Sequence, residues 1–479
     1  MPVLPELLPA WAAPLTRVTG ARRIGTADLV EQLRAALQDG ALPPGAGLPT
    51  SRGLAEQLGV SRNTVVAAYT QLTLEGWLQG RGREGTFVAE IQRAQWRATR
   101  ERTPALLKRV GQGRVVSVPA ELDWRLGQSS AIRLPQTAWE RASRYGGRFQ
   151  PPIGYGDPAG AVALREAIAR ALARLRGLRL GAEHVLVTQG ASSALDLIVE
   201  ALVMRGDVCA VENPGYPRIK QLLQRQGAAL RHVPVDDQGL VVRAAFDGAT
   251  APALIHVTPA HQYPVGVRLS PDRRRELIEL ARRHSTLIVE NEYDHEFIHA
   301  GQHHAPLFAV APERVVLVGT FAKAVSPSLR LGYIAATPRT IQRLAALVER
   351  TKRHVSWPGQ HAMTWLLESG EFDRHLRRVR RQSARLAEQL EHGLERWRGV
   401  LHAVGEAGGQ HVLLLTGTAN AAKRLQQTLS ARDVVLDPIE AFTSGTTGWP
   451  GVLMSYGHMR TGELRAAMVK LDEAMARMA

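Results

Sequence analysis

Leu29, Leu33 and Leu37 recur at every fourth position of "TADLVEQLRAALQDG", the apolar stripe of an amphipathic helix that Gly40 closes. "SRGLAEQLG" repeats the pattern over a shorter span, with Leu54 and Leu58 inward and Gly59 as the stop. "SRNTVVAAYTQLTLEG" opens at Ser61, a good N-cap residue, turns Val65, Tyr69 and Leu72 to one side and ends at Gly76. "WLQGRGREGTFVA" then changes period and reads as two short β runs around a glycine-rich turn. From about 91 to 122 the periodicity fades and charge rises, as in a linker, although "IQRAQWRATRER" could be helical. Beyond 123, short apolar runs alternate with helical stretches. The predicted strands are "VLVT" (185–188), "VCAV" (208–211), "LIHV" (254–257), "LIVE" (287–290) and "VVLVG" (315–319). Strands separated by helices imply a largely parallel sheet covered on both faces. The last hundred residues read as a long arginine-rich helix followed by a smaller α+β piece. The domains expected are therefore 1–90, a linker 91–122, and 123–479.

Composition narrows this picture only slightly. A chain of 479 residues with 45% apolar content suits two or three globular units. The opening "MPVLPELLPAWAAPL" has no basic segment and is broken by prolines, so it is a poor signal peptide. No uncharged apolar run is long enough to cross a membrane, and the lone Cys209 suits a reducing cytoplasm. The net charge of +16 invites a nucleic-acid partner, yet residues 1–90 carry eight Arg against eight Asp or Glu. Charge alone does not locate a DNA-binding face.

The motifs do. Helix, glycine turn, helix and hairpin in that order make a winged helix-turn-helix, whose second helix presents Arg62, Asn63 and Thr64 to base edges. Arg52 opens the preceding helix, within reach of a phosphate, and Arg81 and Arg83 lie at the wing. "LPPGAGLPTSRGLAEQLGVSRNTVVAAYTQLTLEGWLQGRGREGTFVA" resembles the DNA-binding domain of the GntR family over about 25–90.

Lysine is scarce, with six in the chain, and Lys323 ends an apolar strand in "VGTFAKAVSPSLRLGY". It can be a surface lysine, a phosphate-binding charge or a Schiff-base nucleophile. Gly190, Ala191 and Ser192 stand between a strand and a helix start, where backbone N–H groups hold phosphate. The Thr320 hydroxyl and Arg330 add to that cup. A phosphate cup beside a lysine suggests pyridoxal 5'-phosphate, whose aldehyde needs an amine. No metal site is expected.

Residues 123–479 resemble the fold type I aminotransferases, and the whole chain resembles the MocR/GabR subfamily of GntR regulators. The stretches that carry this are "GYGDPAGAVALREAIA", "VLVTQGASSALDL", "ENPGYPR", "VTPAHQYPVG", "VENEYDHEF" and "GTFAKAVSPSLRLGY". The resemblance implies an α/β aminotransferase-like domain with a smaller C-terminal α+β subdomain, joined by a linker to the α+β winged helix. By the same resemblance Lys323 would bond the cofactor and Tyr293 its ring hydroxyl. Thr320, Arg330 and the amides of residues 190–192 would hold the phosphate. Tyr155 would reach the phosphate of the other subunit of a homodimer, and Arg218 would bind the carboxylate of a small amine or amino-acid effector. Three positions depart from the pattern. Asn291 replaces the aspartate that faces the pyridine nitrogen, Ala322 removes a hydroxyl, and Leu453 stands where catalytic relatives grip a carboxylate with arginine.

The expectation is a cytoplasmic, operator-binding homodimer whose aminotransferase-like domain senses pyridoxal phosphate, with weak or no turnover. A cofactor-free scaffold and a working aminotransferase are the rival readings. In a strand, Asn291 and Tyr293 share one face and Glu290 and Glu292 the other, so a slip of one residue would bring a glutamate to the ring instead.

Overall fold

The computed structural model describes residues 25–90, 122–297, 305–405, 409–445 and 448–478. The linker expected over 91–122 falls almost wholly outside them. The chain divides into two compact units, Met1–Val116 and Ser117–Ala479.

In the first unit, helices α1 (Thr26–Asp39), α2 (Ser51–Leu58) and α3 (Arg62–Leu74) bury Leu29, Leu33, Leu37, Leu54, Val65, Tyr69 and Leu72 in one core. The predicted punctuation is in place. Thr50 Oγ1 accepts the Gly53 N–H at 3.1 Å to start α2, and Gly59 ends it at φ +64°. Ser61 Oγ accepts the Thr64 N–H at 3.1 Å to start α3. Strands β1 (Leu78–Gly80) and β2 (Thr86–Val88) pair antiparallel as the wing. Arg34 grips both carboxylate oxygens of Glu75 at 2.8 Å, tying α1 to the end of α3.

The second unit is built on an eight-stranded sheet. Its strands are β4 (Val185–Thr188), β5 (Val208–Asn213), β6 (Ala229–Asp236), β7 (Gly239–Leu240), β8 (Leu254–Val257), β9 (Leu287–Glu292), β10 (Val315–Thr320) and β11 (Gly332–Ala335). They lie in the order β4-β11-β10-β9-β8-β5-β6-β7. The run β10-β9-β8-β5-β6 is parallel, and β11 is antiparallel to both its neighbours. Alternate residues feed two cores. Val185, Val187, Ile288, Val315 and Leu317 pack on one side. Leu186, Val289, Val316 and Val318 pack on the other, against the helices Ala191–Leu202, Pro217–Gln226 and Pro338–Thr351.

All five expected strands are present, three of them running one or two residues further. Three strands of this sheet were not foreseen: β6, the two-residue β7, and β11. β6 carries Arg231, His232 and Pro234 because it lies near the sheet edge, where His232 and Pro234 are exposed. β11 is four residues long and opens on a glycine.

The expected arginine-rich helix is Glu371–Leu394. It packs its buried Leu386, Leu390 and Leu394 into a separate C-terminal core. That subdomain holds the antiparallel strands β12 (His402–Val404), β13 (His411–Leu415) and β15 (Gly451–Ser455). A two-stranded parallel pair joins β3 (Leu122–Asp123) to β14 (Val434–Val435).

Candidate cofactor site and nucleic-acid interface

Sheet register gathers the chemistry at one end of the parallel strands, where open α/β sheets bind ligands. Thr188, Gly332 and Thr320 lie side by side across β4, β11 and β10, and Glu292 of β9 pairs with Gly319. Each strand then leads into a candidate residue: Thr188 to Gly190, Thr320 to Lys323, and Glu292 to Tyr293. A side chain on Gly332 would meet Gly319 O at 2.8 Å and Gly190 Cα at 2.9 Å, so the two glycine segments can approach only because Cβ is absent.

Gly190 adopts φ +89°, and the Thr188 hydroxyl donates to its carbonyl at 3.1 Å. The helix Ala191–Leu202 starts there with no side-chain cap, leaving its first N–H groups for an anion. Ser192 Oγ lies 3.5 Å from the Tyr216 hydroxyl. Thr320 Oγ1 accepts the Ala322 N–H at 3.2 Å. Arg330, exposed and left-handed at φ +51°, sits two residues before Gly332, and its guanidinium has no hydrogen-bond or ion-pair partner among the described residues.

Lys323 is half-buried, and its Nζ donates to the Gln128 carbonyl at 2.7 Å. Burial pulls its amine down to about 8, against the opposing pull of Asp294. Asp294 Oδ2 lies 2.7 Å from His261 Nδ1, which is 3.0 Å from the Tyr293 hydroxyl. Burial, reinforced by Asp294, keeps the Tyr293 phenol protonated far above its usual range. His411 lies beside His261 at 4.8 Å between ring centroids, the two rings tilted by 52°, and Tyr263 meets Tyr216 and Tyr293 edge-on. The ligand atoms of His261, Asp294 and His411 fall within 4.8 Å of one another, but the hydrogen bond between His261 and Asp294 already accounts for their placing.

The strand face matters most at β9. Asn291 is buried, with Oδ1 lacking any partner among the described residues. Glu290 and Glu292 point the other way and are satisfied there. Glu290 accepts the N–H groups of Leu307 and Phe308 at 2.8 and 3.0 Å, while burial and then Glu292 raise its carboxyl to about 7. Burial opposes ionisation of Glu292, but Arg176, bonded at 2.7 Å through Nη2, outweighs it and holds the carboxyl below its usual range.

Tyr155 is 65% exposed and stacks on His354 of its own chain at 5.3 Å, with Lys352 Nζ 5.0 Å from its ring. Arg218 is half-buried, its side chain without a polar partner among the described residues. Leu453 pairs with Leu413 and is wholly buried beside Val265, Ile439 and Phe442.

At the winged helix, Arg62 and Asn63 project from the first turn of α3 and are exposed. Thr64 is more sheltered, its hydroxyl 2.8 Å from Ser61 Oγ. Arg52 is exposed, 3.4 Å from Glu56. Arg83 stands open in the wing turn. Arg81 is drawn back, its guanidinium 4.7 Å from the Phe87 ring and 3.6 Å from Glu90.

Two family models match this chain: "Bacterial regulatory proteins, gntR family" over residues 26–88, and "Aminotransferase class I and II" over 126–473. Along its whole length it is 31% identical to the HTH-type pyridoxine biosynthesis transcriptional regulator PdxR of Corynebacterium glutamicum, covering 94% of this chain and 95% of that one. The chain belongs to the MocR/GabR-like regulators. It is also 34% identical to the probable rhizopine catabolism regulatory protein MocR of Rhizobium meliloti, over 74% and 73% of the two chains. Among solved structures, the α-aminoadipate aminotransferase LysN of Thermus thermophilus shares the fold of the larger unit. There the TM-score is 0.67 at 23% identity, over 74% of this chain and 92% of that one.

Several neighbours of Lys323 in this MocR/GabR-like chain carried no assigned role in the sequence. Asp294, His261, Tyr263 and Tyr216 all stand inside motifs that were recognised, and His411 and the Gln128 carbonyl stand outside them. Their polar or aromatic character within a motif was the available signal for the first four. Gln128 acts through its backbone, which no sequence pattern marks.

Proposed function

We propose that this protein is a homodimeric transcription regulator that binds operator DNA through its winged helix and holds pyridoxal phosphate through Lys323 as a sensor. The observation that carries the cofactor reading is a set of groups without partners among the described residues, on the segments at the same strand ends as one lysine of lowered pKa. The helix Ala191–Leu202 has no cap, the Arg330 guanidinium has no described partner, and Asn291 Oδ1 is buried without one. Those residues fit the phosphate and the pyridine ring. The bound cofactor would supply an aldehyde for amines and an electron-withdrawing ring. Lys323 would take the aldehyde, Tyr293 would hold the ring hydroxyl and Asn291 would face the ring nitrogen. Gly190, Ala191, Ser192, Thr320 and Arg330 would bind the phosphate. Tyr216, whose hydroxyl neighbours Ser192, joins this set.

Arg218, half-buried at the start of its helix, is the proposed anchor for an effector carboxylate. The exposed Tyr155 is the proposed contact to the partner's phosphate. Turnover is expected to be slow, because an amide at position 291 stabilises a protonated ring less than a carboxylate does. The name of the Corynebacterium relative makes genes of pyridoxine supply the first operators to test. The domain limits proposed are 1–90, 91–122 and 123–479.

Borohydride treatment of the full chain loaded with pyridoxal phosphate, followed by peptide mapping, should place the adduct on Lys323. A protein that takes up no cofactor in excess would refute this reading and favour a scaffold.

A further inference from the structure

We propose that His256 holds the Asn291 amide with its NH2 group toward the cofactor's ring nitrogen, so that this nitrogen is kept unprotonated. The inference rests on the cofactor reading above. It adds a positioning residue and fixes the chemical form of the ring.

His256 and Asn291 share a face of the sheet. β8 pairs His256 with Val289, and Asn291 is the next residue of β9 on that face, its amide nitrogen 3.4 Å from His256 Nε2. The imidazole is 1% exposed, flanked by Val211 on β5 and Val289 on β9. In such surroundings it is neutral, since burial pulls it down to about 3, and it therefore carries one proton. The two ends of the amide are interchangeable by a half-turn. With the nitrogen toward His256, Nε2 must accept and the proton must sit on Nδ1. That atom is buried without a hydrogen-bond partner, and its own backbone oxygen only partly offsets the effect of burial on the ring.

The half-turn moves the orphan donor from the imidazole to the outer end of the amide, where the ring nitrogen of the bound cofactor can accept it. Nε2–H then donates to Asn291 Oδ1, and Nδ1 keeps only a lone pair, which is tolerated without a partner better than an N–H is. The end of the amide turned away from His256 has no partner among the described residues when it is the oxygen. After the half-turn it is an NH2 group, a donor only. A pyridine nitrogen can receive that hydrogen bond only when it carries no proton of its own. An aspartate at 291 would ask for the opposite form.

Two nitrogen measurements on the full chain test this. In protein labelled with 15N-histidine and loaded with pyridoxal phosphate, His256 (assigned by its loss in His256→Gln) should show Nε2 protonated and Nδ1 bare. The opposite tautomer would overturn the inference and leave the proposed function standing. In protein loaded with pyridoxal phosphate labelled at the ring nitrogen, the wild-type resonance at pH 7.5 should fall at the unprotonated position. Asn291→Asp should move it to the pyridinium position. A protonated wild-type ring, or no movement in Asn291→Asp, would overturn the inference although cofactor is bound. Failure to take up cofactor at all would refute the proposed function, and the ring assignment with it.

Discussion

Replacing Asp294 by asparagine should move the pH midpoint for cofactor capture by Lys323 downward. Burial lowers the Lys323 amine from 10.5 to about 8, with Asp294 acting in the opposite direction. The shift of about 2.5 units corresponds to about 3.4 kcal/mol between the two protonation states. At pH 7.5 an unperturbed lysine is roughly 0.1% neutral, whereas one at 8 is roughly a quarter neutral, a gain of about 240-fold in reactive amine. His411 and His458 also face this amine, but burial lowers both below the usual imidazole range, so neither adds charge near pH 8. Asp294 is the carboxylate that favours the charged lysine, and removing an opposing charge typically shifts a pKa by ~1–3 units. Because Asp294 also bonds His261, the lower end of that range, about one unit, is expected. The assay is the initial rate of borohydride-trapped adduct on Lys323 between pH 6 and 11. A wild-type midpoint near 10.5, or a midpoint that rises in Asp294→Asn, would refute the reasoning.

Ser61→Ala removes the cap of α3 and should cost about 1 kcal/mol, read as a lower melting point of the winged helix and weaker operator binding. Arg62→Ala should weaken operator binding by about 1–3 kcal/mol and relax base preference, whereas loss of a phosphate-binding arginine should lower the salt slope by about one unit. Titrating affinity against salt for Arg62→Ala and Arg52→Ala separates the two. Arg176→Met leaves Glu292 buried without its cation and should destabilise the larger unit by about 3–5 kcal/mol in urea at pH 7. Glu292 is held below its usual 4.5, so its contribution is complete above that pH and is lost as pH falls through the lower folded value. The gap between wild type and variant should therefore narrow in acid. Leu453→Arg should fail as a way to restore substrate grip, because it places a charge in an apolar cluster, and its melting point should fall sharply.

The winged helix was legible almost to the residue because its signals are local. Apolar spacing, a serine cap and glycine stops each act within one turn of helix, and nothing distant overrides them. The larger sheet was legible where a buried, mostly apolar run stands apart between helical stretches, as in β4, β8 and β10. It was not legible at β6, where a position beside the short edge strand β7 admits arginine, histidine and proline, nor at β11, which opens on glycine and follows β10 with no α-helix between them. The proposed phosphate cup has a trace in the sequence because an uncapped helix start and a glycine at positive φ are both local features. The strap of residues 128–130 over Lys323 could not, since Gln128 and Ser130 meet that lysine through backbone atoms.

β9 shows how far the alternation of a strand can carry an argument about chemistry. From "VENEYD" alone, either Asn291 or a neighbouring glutamate could have met the ring, depending on one residue of register. The structure places Ile288 and Val289 in opposite cores, which fixes the faces of all that follows. Glu290 is spent on the backbone of Leu307 and Phe308, and Glu292 on Arg176, both on the side of Ile288. To turn either carboxylate toward Asn291 would require a slip that buries two charges where Val289 now packs, and would leave Arg176 unpaired. The carboxylates nearest in sequence are thus held away from the candidate site by the stability of the sheet itself. What that site offers at this position is an amide backed by a neutral histidine. On the proposed reading, recognition of a cofactor with little turnover is what that exchange would serve.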